Sequence, residues 1–236
     1  MNWENGWSAV LQSPWLMVGM TVAGFHIGSK IYNAFNKTPV LHPVLIGLLV
    51  TIGCLVTLGI SFQQYREGAD MIYQLLGPVT VALAVPMYTR LAYIRKAAVA
   101  VSVGLLIGGG LAVISALAFM WLAGADAAML ATTSTKSVTG AIAMQVAEGI
   151  GGYGALAAVI VLVTGVAGAI VAPPVFKLLN IESEAAQGFA LGVAAHAVGT
   201  ARSFEISETA GAFAALGMSL MGIACAILIP LAASFF

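Results

Sequence analysis

The chain has 236 residues, of which 61% are hydrophobic and 8% charged, and its nine basic and nine acidic side chains leave a formal net charge of zero. A soluble domain carries about 25% charged residues, and so few charges cannot cover the outside of a protein of this size. The composition excludes a soluble globular fold and predicts an all-α, polytopic transmembrane bundle, one domain over residues 1–236. Without basic runs, it also excludes nucleic acid as a partner.

Six stretches are long and apolar enough to cross a bilayer, which takes about 20 residues of helix. In chain order they cover residues 14–34, 40–61, 71–89, 97–122, 154–176 and 209–234. The N-terminus has an acid and no basic region, so we expect no cleavable secretory signal. Gly77 and Pro78 lie near the start of the third stretch and are expected to break or kink that helix.

Two further segments, residues 128–148 and 186–208, carry polar groups in apolar surroundings. Irregular backbone is tolerated at membrane depth only where it is buried in protein or lines a cavity. We therefore interpret both segments as helices or half-helices that face the protein interior. If residues 128–148 cross the bilayer, the chain has eight spans. If they form a re-entrant hairpin, seven segments cross, so the sequence predicts a bundle of seven to eight segments.

The placement of lysine and arginine predicts the orientation, because cytoplasmic loops are rich in both. The connection with Arg90, Arg95 and Lys96 has three bases and no acid, so we expect it in the cytoplasm and the N-terminus outside. Lys177 would join these bases if residues 128–148 re-enter, which favours the re-entrant alternative. The side on which the C-terminus lies depends on the same choice.

A weak internal repeat relates the two halves of the chain. The stretch LLGPVTVALAVP, ending at Pro86, is similar to SLMGIACAILIP, ending at Pro230. This similarity predicts repeat halves at about residues 14–121 and 128–236, inverted in the membrane if there are eight spans, as in many transporters. The alternative is chance similarity between apolar helices of simple composition.

The first candidate site is the tract Thr132–Thr139, in which six hydroxyl groups surround Lys136. Ionisable groups inside spans are costly and often functional. If a half-helix begins here, with Gly140 letting the chain bend, its free N–H groups, its dipole and the lysine favour an anion. Ser137 and Thr139 would add hydroxyl donors. The alternative is a capped surface helix whose lysine extends to the interface.

The second candidate site is the stretch from His196 to Glu205. On a helix His196, Thr200 and Ser203 fall on one stripe, which suits the path of a polar substrate, with Gly199 as a break within it. The guanidinium of Arg202 suits a carboxylate. The alternative is an ion pair between Arg202 and Glu205 near the membrane surface, with His196 bonded structurally.

The sequence motifs of enzymes, cofactor sites and metal sites are absent from this chain. The sequence shows no phosphate-binding loop, nucleophile elbow, dinucleotide fingerprint or His/Cys metal spacing, so we expect no enzyme, no metal and no cofactor. Cys54 and Cys225 lie in apolar stretches and are interpreted as packing residues.

Four separated blocks of this chain resemble the LrgB/CidB family of bacterial membrane proteins. They read REGADMIYQLLGPVTVALAVPMY, TKSVTGAIAMQVAEGIGG, TGVAGAIVAPPVFKLLNI and GFALGVAAHAVGTARSFEISETAGAFAALGMSLMGIACAILIPL. The resemblance runs from about residue 12 to the end. Thr135 stands where the family motif has proline, and Ala195 where it has serine, which removes one candidate ligand.

The resemblance implies a multi-pass protein of the bacterial inner membrane and two alternative functions. One is transport of small carboxylates, since plant plastid relatives carry glycolate and glycerate and bacterial members are implicated in pyruvate movement. The other is a holin/antiholin-like module that affects murein hydrolase activity and lysis with a small LrgA/CidA-type partner. Glycine-rich helix faces also suit a homo-oligomer.

The sequence hypothesis is therefore a transporter of small monocarboxylates. Lys136, Arg202 and the hydroxyls of the two polar segments would meet near the middle of the bilayer and hold the substrate carboxylate. His196 could relay a proton, because an imidazole changes its charge near neutral pH.

Overall fold

The computed structural model describes residues 10–35, 37–38, 41–82 and 84–234, and within these ranges all regular structure is helical. The all-α fold expected from composition is confirmed. The residues ahead of position 10, on which the signal-peptide expectation depends, lie outside the described ranges, as does position 40 at the start of the second predicted span. The chain packs as two compact units, Met1–Ala82 and Leu83–Phe236. This division does not test the repeat halves, which stay a prediction.

The first unit contains four helices whose bounds lie within the described residues, and their backbones approach each other closely. Gly28 of the first helix faces Pro43 of the second so closely that a Cβ would lie 2.5 Å from the Pro43 carbonyl oxygen. Gly59, at φ +68°, ends the second helix, and the third leaves it at an angle of 117°. The helices are α1 (Pro14–Ala34), α2 (Pro43–Leu58), α3 (Phe62–Gly68) and α4 (Asp70–Ala82).

The helix break expected at Gly77 and Pro78 falls inside α4. The helix continues through Pro78, and its described part extends to Ala82. Since Leu83 lies outside the described residues, the predicted third span at 71–89 consists of two described helices, with the second beginning at Ala84.

The second unit contains the rest of the described helices. Residues Ala98–Leu122 form one long span that includes a π-helical turn at Leu105–Gly109. The helices are α5 (Ala84–Thr89), α6 (Leu91–Lys96), α7 (Ala98–Gly104), α8 (Gly110–Leu122), α9 (Ala127–Ser134), α10 (Gly140–Gly149), α11 (Gly154–Leu178), α12 (Glu184–Ile206) and α13 (Glu208–Ala233).

Three described helices have the length and hydropathy of a membrane span, namely Ala98–Leu122, Gly154–Leu178 and Glu208–Ala233. A fourth is added if the bent pair α2 and α3 counts as one span. The chain is thus a multi-pass membrane protein.

Helices α9 and α10 fold back on each other instead of forming one span. The chain leaves helical geometry between them, at residues 135–139. The Thr132 hydroxyl accepts a hydrogen bond from the Tyr153 backbone N–H at 2.8 Å, and a Cβ on Gly152 would lie 2.8 Å from the Thr132 nitrogen. A straight helix would separate residues 132 and 152 by about 30 Å. We call residues 127–149 hairpin 1 and residues 135–139 its tip.

Helix α12 also reverses direction, at His196, whose φ of 38° and ψ of −123° are non-helical. The Ser207 hydroxyl donates to the Glu184 carboxylate at 2.7 Å, although a straight helix would place these residues about 34 Å apart. Likewise, a Cβ on Gly199 would lie 2.3 Å from the Leu191 carbonyl oxygen. We call residues 184–206 hairpin 2, with limbs 184–195 and 197–206 and His196 at its tip.

None of the four limbs of the two hairpins is long enough to cross the membrane. The longer limb of hairpin 2 extends about 18 Å, against about 30 Å for the hydrocarbon core. Both polar segments are therefore half-helical, one of the two forms that the sequence left open. The predictions of seven and of eight spans both count residues 186–208 as one span. Because the chain reverses at His196, this segment does not cross the membrane. Six predicted spans remain.

The two hairpins enter from opposite ends of α11. Hairpin 1 comes directly before the N-terminus of α11 at Gly154, and hairpin 2 follows its C-terminus at Leu178. Arg90 pairs with Glu208 at 3.1 Å, which places the base of hairpin 2 at the same end as the basic connection at residues 90–96. That connection is the one that the sequence predicts to be cytoplasmic.

This arrangement predicts on which side each loop can be labelled. In a variant that lacks Cys54 and Cys225, a cysteine at Glu182 should react with an impermeant maleimide only from the cytoplasmic side. A cysteine at Ala123, ahead of hairpin 1, should react only from outside. Labelling of both positions from the same side would contradict the re-entrant arrangement, since residues 127–149 would then cross the membrane as a second span beside α11.

Candidate functional site

The tips of the two hairpins come together beside α11 and α13. Val138 at the tip of hairpin 1 belongs to one buried cluster with Val161 of α11, Val193 of hairpin 2 and Cys225 of α13. Lys136 at the first tip interacts electrostatically with His196 at the second. The tips of two polar segments that are distant in the sequence thus lie side by side.

The tip of hairpin 1 presents an anion-binding geometry. The first backbone hydrogen bond of α10 is donated by Ala143 to Thr139, so the N–H groups of the first turn, from Gly140 to Ile142, have no partner within the helix. The Lys136 ammonium lies just ahead of this turn, where Nζ donates to the Ser137 hydroxyl at 3.1 Å. A helix N-terminus and a cation together favour negative charge.

The two predicted hydroxyl ligands at this tip, Ser137 and Thr139, differ in the hydrogen bonds that their side chains already form. Ser137 is fully buried and accepts from Lys136, so its own proton is available to a ligand. Thr139 occupies the N-cap of α10 without forming a side-chain cap bond. Gly140 is the first residue of α10, directly after the break. The sequence placed the bend correctly at this tract.

His196 is 2% exposed at the tip of hairpin 2. Its ring lies beside the Val161 backbone carbonyl, and its Nε2 atom is buried without a hydrogen bond to any residue that the structure describes. The alternative of a structurally bonded His196 agrees with the contact between the ring and the Val161 carbonyl, and only Nε2 has no bond among the described residues.

Two glycines of α11 make room for this tip. A Cβ on Gly165 would lie 2.7 Å from His196 Cε1, and a Cβ on Gly168 would lie 2.7 Å from the Ala195 Cβ. Because α11 lacks side chains here, hairpin 2 can lie directly against its backbone. Sequence reasoning missed both glycines, although the small-residue run TGVAG was a usable signal for close helix packing.

The stripe His196, Thr200 and Ser203 does not form as the sequence predicted, because the chain reverses at His196. The Thr200 hydroxyl donates to the His196 carbonyl, and the Ser203 hydroxyl donates to the Gly199 carbonyl, both at 2.8 Å. These hydroxyls bond their own limb, as serine and threonine commonly do within helices. Gly199 lies in the second limb instead of at the break, and its missing Cβ lets the limbs approach each other.

Arg202 is placed farther from the tips. It lies six positions beyond His196, about 9 Å along the second limb, and pairs with Glu205 on the same helix. This ion pair is the alternative that the sequence left open. The proposed joint role of Lys136 and Arg202 in holding one carboxylate is not tested by this pairing.

Cys225, which the sequence reasoning assigned to packing, also lies beside the first tip. It is 5% exposed and belongs to the cluster around the first tip, and it interacts electrostatically with Lys136. No sequence signal marked it, because it lies in an uninterrupted apolar stretch.

A separate apolar cleft of about 560 Å³ lies on the other side of hairpin 2. It is lined by residues of the first limb and of the long span Ala98–Leu122. Its walls are mostly small residues, among them Gly104, Gly108, Ala112, Ala190 and Ala194.

Comparison with known proteins identifies the family. A family model described as the LrgB-like family matches residues 21–235. The chain belongs to the LrgB-like family. The resemblance seen in the four sequence blocks is confirmed.

The relatives of this LrgB-like chain match over nearly their whole length. The uncharacterized protein YxaC of Bacillus subtilis is 36% identical over 90% of both chains. YwbG of the same organism is 32% identical over 92% of this chain and 96% of its own. The holin-like protein CidB of Staphylococcus epidermidis is 28% identical over 91% of this chain and 93% of its own. No solved structure matches.

Proposed function

We propose that this LrgB-like protein transports small monocarboxylates, of the glycolate, glycerate or pyruvate type, across the bacterial cytoplasmic membrane. The observation that carries the proposal is the meeting of two half-helical hairpins, entered from opposite ends of α11, at one buried cationic site. Discontinuous helices whose ends meet near the bilayer midplane are typical of substrate sites in secondary transporters.

The carboxylate binds at the tip of hairpin 1. The backbone N–H groups at the start of α10 and the Ser137 hydroxyl donate to its oxygens, and Lys136 neutralises its charge. Hydrogen bonds to a charged group contribute about 1.5–3 kcal/mol each. Desolvation of the anion is thereby offset without a metal or cofactor.

Access alternates because each hairpin closes the site from one end. Hairpin 2 borders the apolar cleft along Ala98–Leu122, which leaves room for its first limb to shift away from the first tip. The base of hairpin 2, where its first limb begins and its second limb ends, is stabilised by two polar contacts. Ser207 bonds Glu184, and Arg90 pairs with Glu208. We expect the tip to move while the base stays in place.

Arg202 acts at the mouth of hairpin 2 in this scheme, where it attracts the anion without holding it at the tips. Replacing Arg202 by alanine should raise the KM for uptake about threefold to tenfold and leave kcat nearly unchanged, since an exposed or partly exposed charge contributes modestly. The matched control is Arg66→Ala in the first unit, which should change neither constant. A collapse of kcat in the Arg202 variant would instead place this guanidinium at the central site.

A second candidate function is suggested by the CidB relatives, which are named holin-like proteins. In this alternative the protein is a pore or pore modulator that promotes or restrains lysis, acting as a homo-oligomer or with an LrgA/CidA-type partner and thereby affecting murein hydrolase activity.

Reconstitution separates the two functions. Proteoliposomes of the purified protein should take up labelled glycolate or pyruvate with saturable kinetics, and should retain a trapped dye such as carboxyfluorescein. A holin-like pore predicts the opposite pattern, with dye release and uptake that does not saturate. Absence of saturable uptake for both acids would contradict the transport proposal.

A further inference from the structure

The apolar cleft beside hairpin 2 has no role in binding the carboxylate, and its walls stay open although their side chains are small. Small residues in membrane helices usually let backbones approach closely. Gly188 and Gly192 of the first limb do so, since a Cβ on each would lie 2.0 and 2.1 Å from carbonyl oxygens of α13. On the opposite face of the same limb, Ala186, Ala190 and Ala194 line the cleft and remain exposed. This face is therefore left open to another group.

The dimensions of the cleft fit a single hydrocarbon chain and exclude a helix. On the long span its lining runs over positions 97 to 112, which is about 22 Å at the rise of a helix. A volume of about 560 Å³ over this length gives a mean cross-section of about 25 Å². A helix with its side chains is at least about 10 Å across and fills about 80 Å². An extended acyl chain is the narrow apolar group that a bilayer supplies at this depth.

One end of the cleft carries unpaired positive charge. Arg95 and Lys96 directly precede Ala97, the first residue of the long-span lining. Both bases are exposed, and neither has an ion pair among the residues that the structure describes. The acids at the base of hairpin 2 are already bonded, and Glu182, next to Ser183 on the other wall, adds one negative charge against two positive ones. This end therefore favours an anionic lipid headgroup.

We propose that the cleft holds one acyl chain of an anionic phospholipid from the cytoplasmic leaflet, whose phosphate is bound by Arg95 and Lys96. The chain extends along the long span past Gly104 and Gly108, where the missing side chains leave room for it. The inference does not depend on the transport function. It is compatible with that function, because a chain that moves out into the bilayer gives the first limb the space for its shift.

The headgroup is tested by titrating the delipidated protein in detergent with phosphatidylglycerol and counting bound lipids by native mass spectrometry. One lipid should bind saturably, about tenfold more tightly than the zwitterionic phosphatidylcholine, because each nearby base favours a net negative headgroup. Replacing both Arg95 and Lys96 by glutamine should remove this preference. The control is Arg66→Gln, an exposed base in the last turn of α3, which should leave the preference unchanged.

The acyl chain is tested by filling the cleft with a side chain. Gly108 lines the cleft, and a Cβ there would meet nothing within 4 Å, so leucine can extend into the space without displacing a neighbour. Gly108→Leu should weaken the binding of phosphatidylglycerol at least tenfold. Gly110→Leu is the matched control. A Cβ on Gly110 also meets nothing within 4 Å, but this position lies about 200° away around the helix, so the lipid should bind as in the native protein.

Three results would overturn the proposal. The first is equal affinity for phosphatidylglycerol and phosphatidylcholine, and the second is unchanged lipid binding in Gly108→Leu. The third is a lower oligomeric mass of Gly108→Leu in detergent, because a second copy of the chain would then occupy the cleft. The native protein provides a test without variants. Phosphatidylglycerol with a diazirine near the end of one acyl chain should label residues 108–112 or 190–194, and saturable labelling elsewhere would contradict the site.

Discussion

Replacing Lys136 by alanine is expected to reduce kcat/KM for glycolate or pyruvate uptake by about 100-fold. The variant loses the only cation at the tip of hairpin 1 among the described residues, together with a charge-assisted hydrogen bond worth about 1.5–3 kcal/mol. The loss acts in a poorly solvated site, where electrostatic interactions are stronger than in water. Initial rates in proteoliposomes over a range of substrate concentrations measure the effect.

The matched control is Lys177→Ala, since Lys177 lies in the last turn of α11, away from the hairpin tips. It should transport at the native rate. Lys136→Arg should retain part of the activity, because the charge remains but the planar guanidinium presents different geometry. The thermal midpoint of Lys136→Ala should equal or exceed that of the native protein, as a partly buried charge is removed. Uptake within twofold of native in Lys136→Ala would exclude the proposed site.

Replacing Gly192 by alanine is expected to lower the thermal midpoint by about 10 °C, corresponding to roughly 3 kcal/mol for a chain of this size. A Cβ at this position would lie 2.1 Å from the Ala214 carbonyl oxygen of α13. Neither backbone can move away easily, because Gly188 meets Ala210 in the same way one turn earlier, at 2.0 Å. Tryptophan fluorescence or scattering during heating in detergent gives the midpoint.

Gly110→Ala provides the control for this effect. Gly110 begins α8, and a Cβ there would meet nothing within 4 Å. Alanine should be neutral or slightly stabilising at this position, since it reduces the freedom of the unfolded chain. If both variants melted alike, close contact between hairpin 2 and α13 would not be what makes Gly192 necessary.

The tip of hairpin 1 could be predicted from sequence because its signal is local. Consecutive hydroxyl residues compete with the helix for backbone hydrogen bonds, and Lys136 is too costly for a lipid-exposed helix. Both effects are visible in the tract from Thr132 to Thr139, where the structure indeed interrupts the helix.

The tip of hairpin 2 could not be predicted in the same way. His196 is flanked by alanines, the best helix formers, and the break expected at Gly199 falls three positions away from the actual one. The reversal depends on tertiary contacts with Gly165 and Gly168 of α11 and with α13, which no local pattern records. For Arg202 the spacing to Glu205 allowed both a ligand and an ion pair; the folded structure shows the ion pair, and the ligand role stays a prediction.

The opposed entry of the hairpins has an electrical consequence. In the proposed transport cycle water reaches the tips from each side in turn, so the membrane potential then falls across a shorter distance than the full bilayer. Moving one elementary charge through 100 mV changes its energy by about 2.3 kcal/mol. An anion bound beside Lys136 would then cross much of the membrane potential when the tip moves by a short distance. A small movement of the tip would therefore make transport of the anion voltage-dependent.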